Sequence, residues 1–175
     1  MKASNKIRDM IYIALMAVVI TLCSWLSVPA AVPFTMQTFA VFCALLLLGG
    51  RRGSLAVGLY LLLGAVGLPV FSGFKAGLGA LLGPTGGYLL GFLLGALLYW
   101  LGEGKLHDLP LLIGCNLLCY LFGTLWFVLL YASEEKPIGF GTALMLCVVP
   151  YLLPDAIKLL LAFVLARRVK KAVRL

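Results

Sequence analysis

Leu109-Pro110-Leu111-Leu112-Ile113-Gly114-Cys115-Asn116-Leu117-Leu118-Cys119-Tyr120-Leu121-Phe122-Gly123-Thr124-Leu125-Trp126-Phe127-Val128-Leu129-Leu130-Tyr131 carries no charge over 23 positions. A helix of about 20 mainly apolar residues crosses roughly 30 Å of hydrocarbon, so this stretch is long enough to span a bilayer. The chain on either side reads the same way. Of its 175 residues 63% are hydrophobic and 11% charged, with a mean hydropathy of +1.13. A soluble domain carries about 25% charged residues, and with under half of that this chain cannot coat a water-facing surface. It is a polytopic membrane protein.

Further apolar runs place spans at 9–28, 36–50, 53–68, 84–101 and 153–170. The expected fold is therefore an all-α integral membrane bundle of six transmembrane helices, a single domain over 1–175. The first run resembles a signal peptide, but an equally apolar remainder favours an uncleaved helix. The net charge of +8 follows topology rather than nucleic acid. Lys2, Lys6 and Arg8, then Arg51 and Arg52, then Lys105, then Arg167, Arg168, Lys170, Lys171 and Arg174 occupy alternate junctions, 11 of the 14 basic residues. Short cytoplasmic loops concentrate Lys and Arg in this way, so both termini are expected in the cytoplasm.

The five cysteines lie inside apolar runs and the chain has one histidine, His107. No zinc site is indicated, and the cysteines read as small hydrophobes. Gly87, Gly91 and Gly95 form a GxxxGxxxG run for close helix packing. No phosphate-binding loop, paired acids or histidine cluster supplies catalytic machinery, so no enzyme activity and no cofactor are expected.

The outer connections are more informative. The first, 29–35, holds two prolines. The third begins at Ser133-Glu134-Glu135-Lys136-Pro137 and continues through an apolar stretch, 139–149, too short to span and expected as a short helix in the membrane. The second, 67–84, is apolar yet full of glycine and proline. Irregular backbone at membrane depth survives only against protein or a cavity, so this segment is expected to fold over the bundle as an extracellular lid.

Three charges, Lys75, Asp155 and Lys158, fit neither cytoplasmic anchoring nor a solvated loop. Ionisable groups at membrane depth cost at least ~2.5–3.5 kcal/mol and usually face a cavity. Asp155 and Lys158 share a helix side at i, i+3. Asp155 stands about 18 Å before Arg167 at 1.5 Å per residue, which places the pair in the outer half of the membrane. A ligand-free helix-stabilising pair is the alternative. With Gln37 and Thr35 as uncharged polar groups, and Phe71, Phe74 and Tyr88 as flat walls, they describe a site for a small molecule with an anionic end and an apolar middle.

Pro33-Phe34-Thr35-Met36-Gln37-Thr38, Gly67-Leu68-Pro69-Val70-Phe71, Gly83-Pro84-Thr85-Gly86-Gly87-Tyr88 and Pro154-Asp155-Ala156-Ile157-Lys158 closely resemble the BioY family. BioY proteins are biotin-binding S-components of energy-coupling factor (ECF) transporters. The resemblance implies a biotin uptake subunit in a prokaryotic cell membrane. Its ligand residues would be Gln37, Phe71, Lys75, Tyr88, Asp155 and Lys158, and its partners a transmembrane coupling subunit and two cytoplasmic ATPases. It also implies toppling in the membrane to release substrate. The sequence departs from the family pattern at Ala14 and Ala17, three rather than four apart, and at Pro154. An S-component for another vitamin, a lipid-modifying membrane enzyme and a purely structural subunit are the competing readings.

Overall fold

The computed structural model describes residues 2–30, 32–132 and 139–173. The acidic start of the third connection, 133–137, and Arg174 lie outside the described residues. Among the described residues the chain is all-α apart from one ladder of two-residue strands and an isolated bridge between Glu103 and Leu106. Helices run α1 Lys2–Trp25, α2 Gln37–Leu48, α3 Gly50–Ala65, α4 Leu78–Leu82, α5 Gly86–Gly102, α6 Asp108–Tyr131, α7 Phe140–Cys147 and α8 Val149–Val173. Three helical stretches, Asn5–Trp25, Asp108–Tyr131 and Val149–Ala172, are long and apolar enough to cross a membrane.

α2 has only 12 residues, about 18 Å. It is also the most enclosed helix, touching α1, α3, α5 and α8, with Ala40 through Leu46 all buried. An apolar helix surrounded by protein meets lipid on no side, so its length need not match the hydrocarbon. A single residue, Gly49 at φ +79°, separates it from α3. The expected gap of 51–52 is therefore absent, and Arg51 and Arg52 sit in the first turn of α3.

One end of the bundle is tied by polar contacts. Arg52 pairs with Asp9 at 3.1 Å, the Gly50 amide donates to Glu103 Oε2 at 2.8 Å, and the Tyr99 hydroxyl donates to Asp108 at 2.8 Å. The starts of α1 and α3 and the α5–α6 turn thus share this end.

α5 and α6 pack most intimately. A Cβ on Gly91 would stand 3.0 Å from Cys119 Cα, and one on Gly95 3.1 Å from the Cys115 carbonyl oxygen. Cys115 Sγ donates to the Gly95 carbonyl at 2.9 Å. The four-residue cysteine spacing is therefore the complement of the glycine spacing across the groove.

At the opposite end, prolines 29 and 33 deny the first connection a helix. It folds instead as an antiparallel ladder pairing Ser27 with Thr35 and Val28 with Phe34, an element the helical reading omitted. α8 starts at Val149 rather than 153 and carries Pro154 inside it. Pro154 forfeits one intrahelical bond, to the carbonyl of Pro150, in the second turn. The stretch 139–149 forms α7, of 8 residues. The second connection contains a 3₁₀ turn at Ser72–Phe74 and the short α4.

Candidate functional site

At that end, a cavity opens between the first and second connections and the helices α2, α5, α6, α7 and α8. It encloses about 770 Å³, counting space open to solvent. All six residues singled out from sequence line it: Gln37, Phe71, Lys75, Tyr88, Asp155 and Lys158.

Asp155 and Lys158 are 5% and 4% exposed. Lys158 Nζ donates to Asp155 Oδ1 at 2.8 Å and to the Thr35 carbonyl at 2.7 Å. It also stands 3.9 Å from the centre of the Phe34 ring. Its donors thus meet a carboxylate, a carbonyl and an aromatic face. The Tyr120 hydroxyl donates to Asp155 Oδ2 at 2.6 Å. A carboxylate offers about four lone-pair sites, so with two in use Asp155 can accept two more donors.

Tyr151 fastens the first connection by donating its hydroxyl to the Val32 carbonyl, and its ring stacks on Phe34 at 6.4 Å. Together with the Lys158–Thr35 bond, this clamps the connection to α8. Gln37 opens α2, and its Nε2 is buried without a hydrogen-bond partner among the described residues. Such a group is costly to leave unsatisfied, by roughly 1–3 kcal/mol, and a ligand acceptor would satisfy it.

Tyr88 projects from the first turn of α5, its hydroxyl 3.2 Å from Thr124 Oγ1. Phe71 is buried edge-on to Tyr60, ring centres 5.5 Å apart. Lys75 differs from the other two charges. It follows the 3₁₀ turn in extended conformation and is exposed at the cavity mouth. Phe74, expected as a wall, is 62% exposed and lies outside the lining.

The structure adds Tyr120, Asn116 and Tyr151. Asn116 is the one amide side chain in the 109–131 run, a polar group in an apolar span that warranted notice. Tyr120 stands four residues further on, on the same helix face. Nothing in the sequence brings Tyr120 to Asp155, 35 residues on, because the pairing depends on how α7, packed on both α6 and α8, sets the two helices on facing sides of the cavity.

The cavity therefore joins a buried charged cluster to aromatic walls and places an exposed cation, Lys75, at its mouth. It suits a ligand with two hydrogen-bond donors at its inner end, an apolar body and an anionic tail.

The sequence model of the BioY family matches residues 1–175. The chain is 39% identical over 171 residues to the biotin transporter BioY of Thermotoga maritima, covering 94% of this chain and 96% of that one. It is 40% identical over 139 residues to a probable biotin transporter BioY of Pyrococcus horikoshii, covering 79% and 81%. A crystal structure of the S-component for biotin from an ECF-type ABC transporter matches with TM-score 0.83 at 26% identity, over 98% of this chain and 95% of that one. By the full-length match of the family model and these relatives, the chain belongs to the BioY family.

Proposed function

We propose that this chain is the membrane-embedded, biotin-binding uptake subunit of an ECF-type transporter, and that biotin occupies the cavity described above. The observation that carries the reading is Asp155, buried with Lys158 and Tyr120 and retaining room for two donors. Biotin has a ureido ring with two N–H groups and a carbonyl, an apolar bicycle and chain, and a terminal carboxylate. One ureido N–H goes to Asp155, and the ureido carbonyl takes the Nε2 donor of Gln37. The bicycle and chain lie against Phe71 and Tyr88. Lys158 is already engaged by Asp155, Thr35 and Phe34, so the carboxylate goes to exposed Lys75.

In this reading six helices cross the membrane: α1, α2, α3, α5, α6 and α8. The basic ends face the cytoplasm, and the segment 67–84 closes over the ligand from outside. The chain carries no phosphate-binding loop. ATP-driven uptake thus needs partners, a transmembrane coupling subunit and two ATPases. Support comes from the names of the relatives and from the match between their chemistry and the cavity. Mass spectrometry of small molecules released from the purified protein is the test. Biotin should be the vitamin recovered, and recovery of a different vitamin would replace the reading.

A further inference from the structure

The wall of the cavity formed by the second connection is held by α1 and α3, which contribute nothing to the lining themselves. Ser24, fully buried near the end of α1, places its hydroxyl 2.5 Å from the Val70 carbonyl and 2.8 Å from Thr21 O of its own helix. A hydroxyl has one proton, so the loop competes with the helix for it. The next residue, Trp25, donates its indole N–H to the Pro69 carbonyl at 2.9 Å and lays its ring on Phe74 at 4.9 Å. Phe74 has φ +58°, a conformation rare for a bulky side chain that persists only where the surroundings impose it. From α3, Tyr60 packs edge-on against Phe71, and the Gly64 carbonyl accepts the Gly77 amide at 2.7 Å. Between these anchors lie Phe71 and Lys75, two of the cavity-lining residues.

We propose that Ser24 and Trp25 are positioning residues for ligand binding. They form a latch that presets Phe71 and Lys75 in their bound arrangement before ligand arrives. A preset wall saves the ligand the cost of ordering the loop, and its loss appears in the release rate rather than the association rate. The inference rests on the biotin reading for its ligand, and on the hydrogen bonds alone for the latch.

Ser24→Ala removes the hydroxyl, and Trp25→Phe removes the indole N–H while keeping an apolar ring over Phe74. The full chain is purified with each change and with both. In each single variant biotin release should quicken roughly 2- to 12-fold, the equivalent of one neutral hydrogen bond. Association should stay within about twofold. In ligand-free protein, hydrogen exchange of amides 70–77 should quicken in the double variant while α6 amides keep their wild-type rates. That local change separates positioning from a general loss of structure. A double variant with wild-type exchange at 70–77, or with wild-type release of biotin, overturns the latch. If the unmodified protein binds no biotin, the functional reading falls instead, and the ligand-free exchange still decides the latch.

Discussion

Asp155 carries the account at the scale of single residues. It is a buried carboxylate accepting from Lys158 and Tyr120, and Asp155→Asn keeps its shape while replacing the carboxylate with an amide, half of which is a donor. Loss of a charge-assisted hydrogen bond is worth about 1.5–3 kcal/mol, so biotin affinity should fall roughly ten- to hundredfold. Isothermal calorimetry reads this, with a thermal melt confirming that the variant is folded. Near wild-type affinity in a folded variant would remove Asp155 from the site. Lys75 tests the other end of the ligand. Exposed ion pairs are worth little, so Lys75→Met should weaken biotin by at most about fivefold and leave biotin amide, which lacks the carboxylate charge, unaffected. Equal loss for both compounds would place the carboxylate elsewhere. Lys158→Met should be more damaging than its distance from the mouth suggests. It strips Asp155 of its counter-ion and unfastens the Thr35 carbonyl, and a buried charge left alone costs about 3–5 kcal/mol.

Between elements, close approach is what the glycines provide. With Cys119 Cα 3.0 Å from where a Gly91 Cβ would stand, Gly91→Ala forces α5 and α6 apart. Overpacking of this kind costs about 1–3 kcal/mol and should lower the melting temperature. Gly79→Ala in α4 meets nothing within 4 Å and should leave it unchanged. A Gly91→Ala protein as stable as wild type would show that the helices can separate without loss. Element placement was legible where local rules dominate. Apolar run length located α1, α5 and α6, and the prolines and glycines located the connections. The ladder at 27–35 was not legible, since two-residue strands leave no periodic signature. The early start of α8 escaped because Pro154 reads as a boundary, yet it costs only one bond there. Site residues followed the same division. Charges in apolar surroundings betrayed Asp155 and Lys158, whereas Tyr120 looked like any aromatic residue of a span until the fold set its hydroxyl against Asp155.

For the whole molecule, the surface itself is the main observation. Met10, Ile11, Leu15, Val18 and Leu22 of α1, Leu117, Leu121 and Leu125 of α6, and Leu153, Ile157, Leu160 and Leu161 of α8 are all exposed. A water-soluble monomer does not present apolar faces of this extent, whereas lipid covers them. The polar ties among Asp9, Arg52, Gly50 and Glu103 lie at the basic end, opposite the cavity. If that end is cytoplasmic, a membrane-impermeant thiol reagent should label Ala132→Cys in intact cells, made in a background without the five native cysteines. It should label His107→Cys only after permeabilisation. Labelling of His107→Cys in intact cells would invert the topology and turn the cavity to the cytoplasm. Whether this cavity takes biotin is decided by calorimetric titration of the purified full chain with biotin, thiamine and riboflavin. Saturable one-to-one binding of biotin and no binding of the other two is the expected result. A folded protein that ignores biotin, or binds thiamine or riboflavin as tightly, would contradict it.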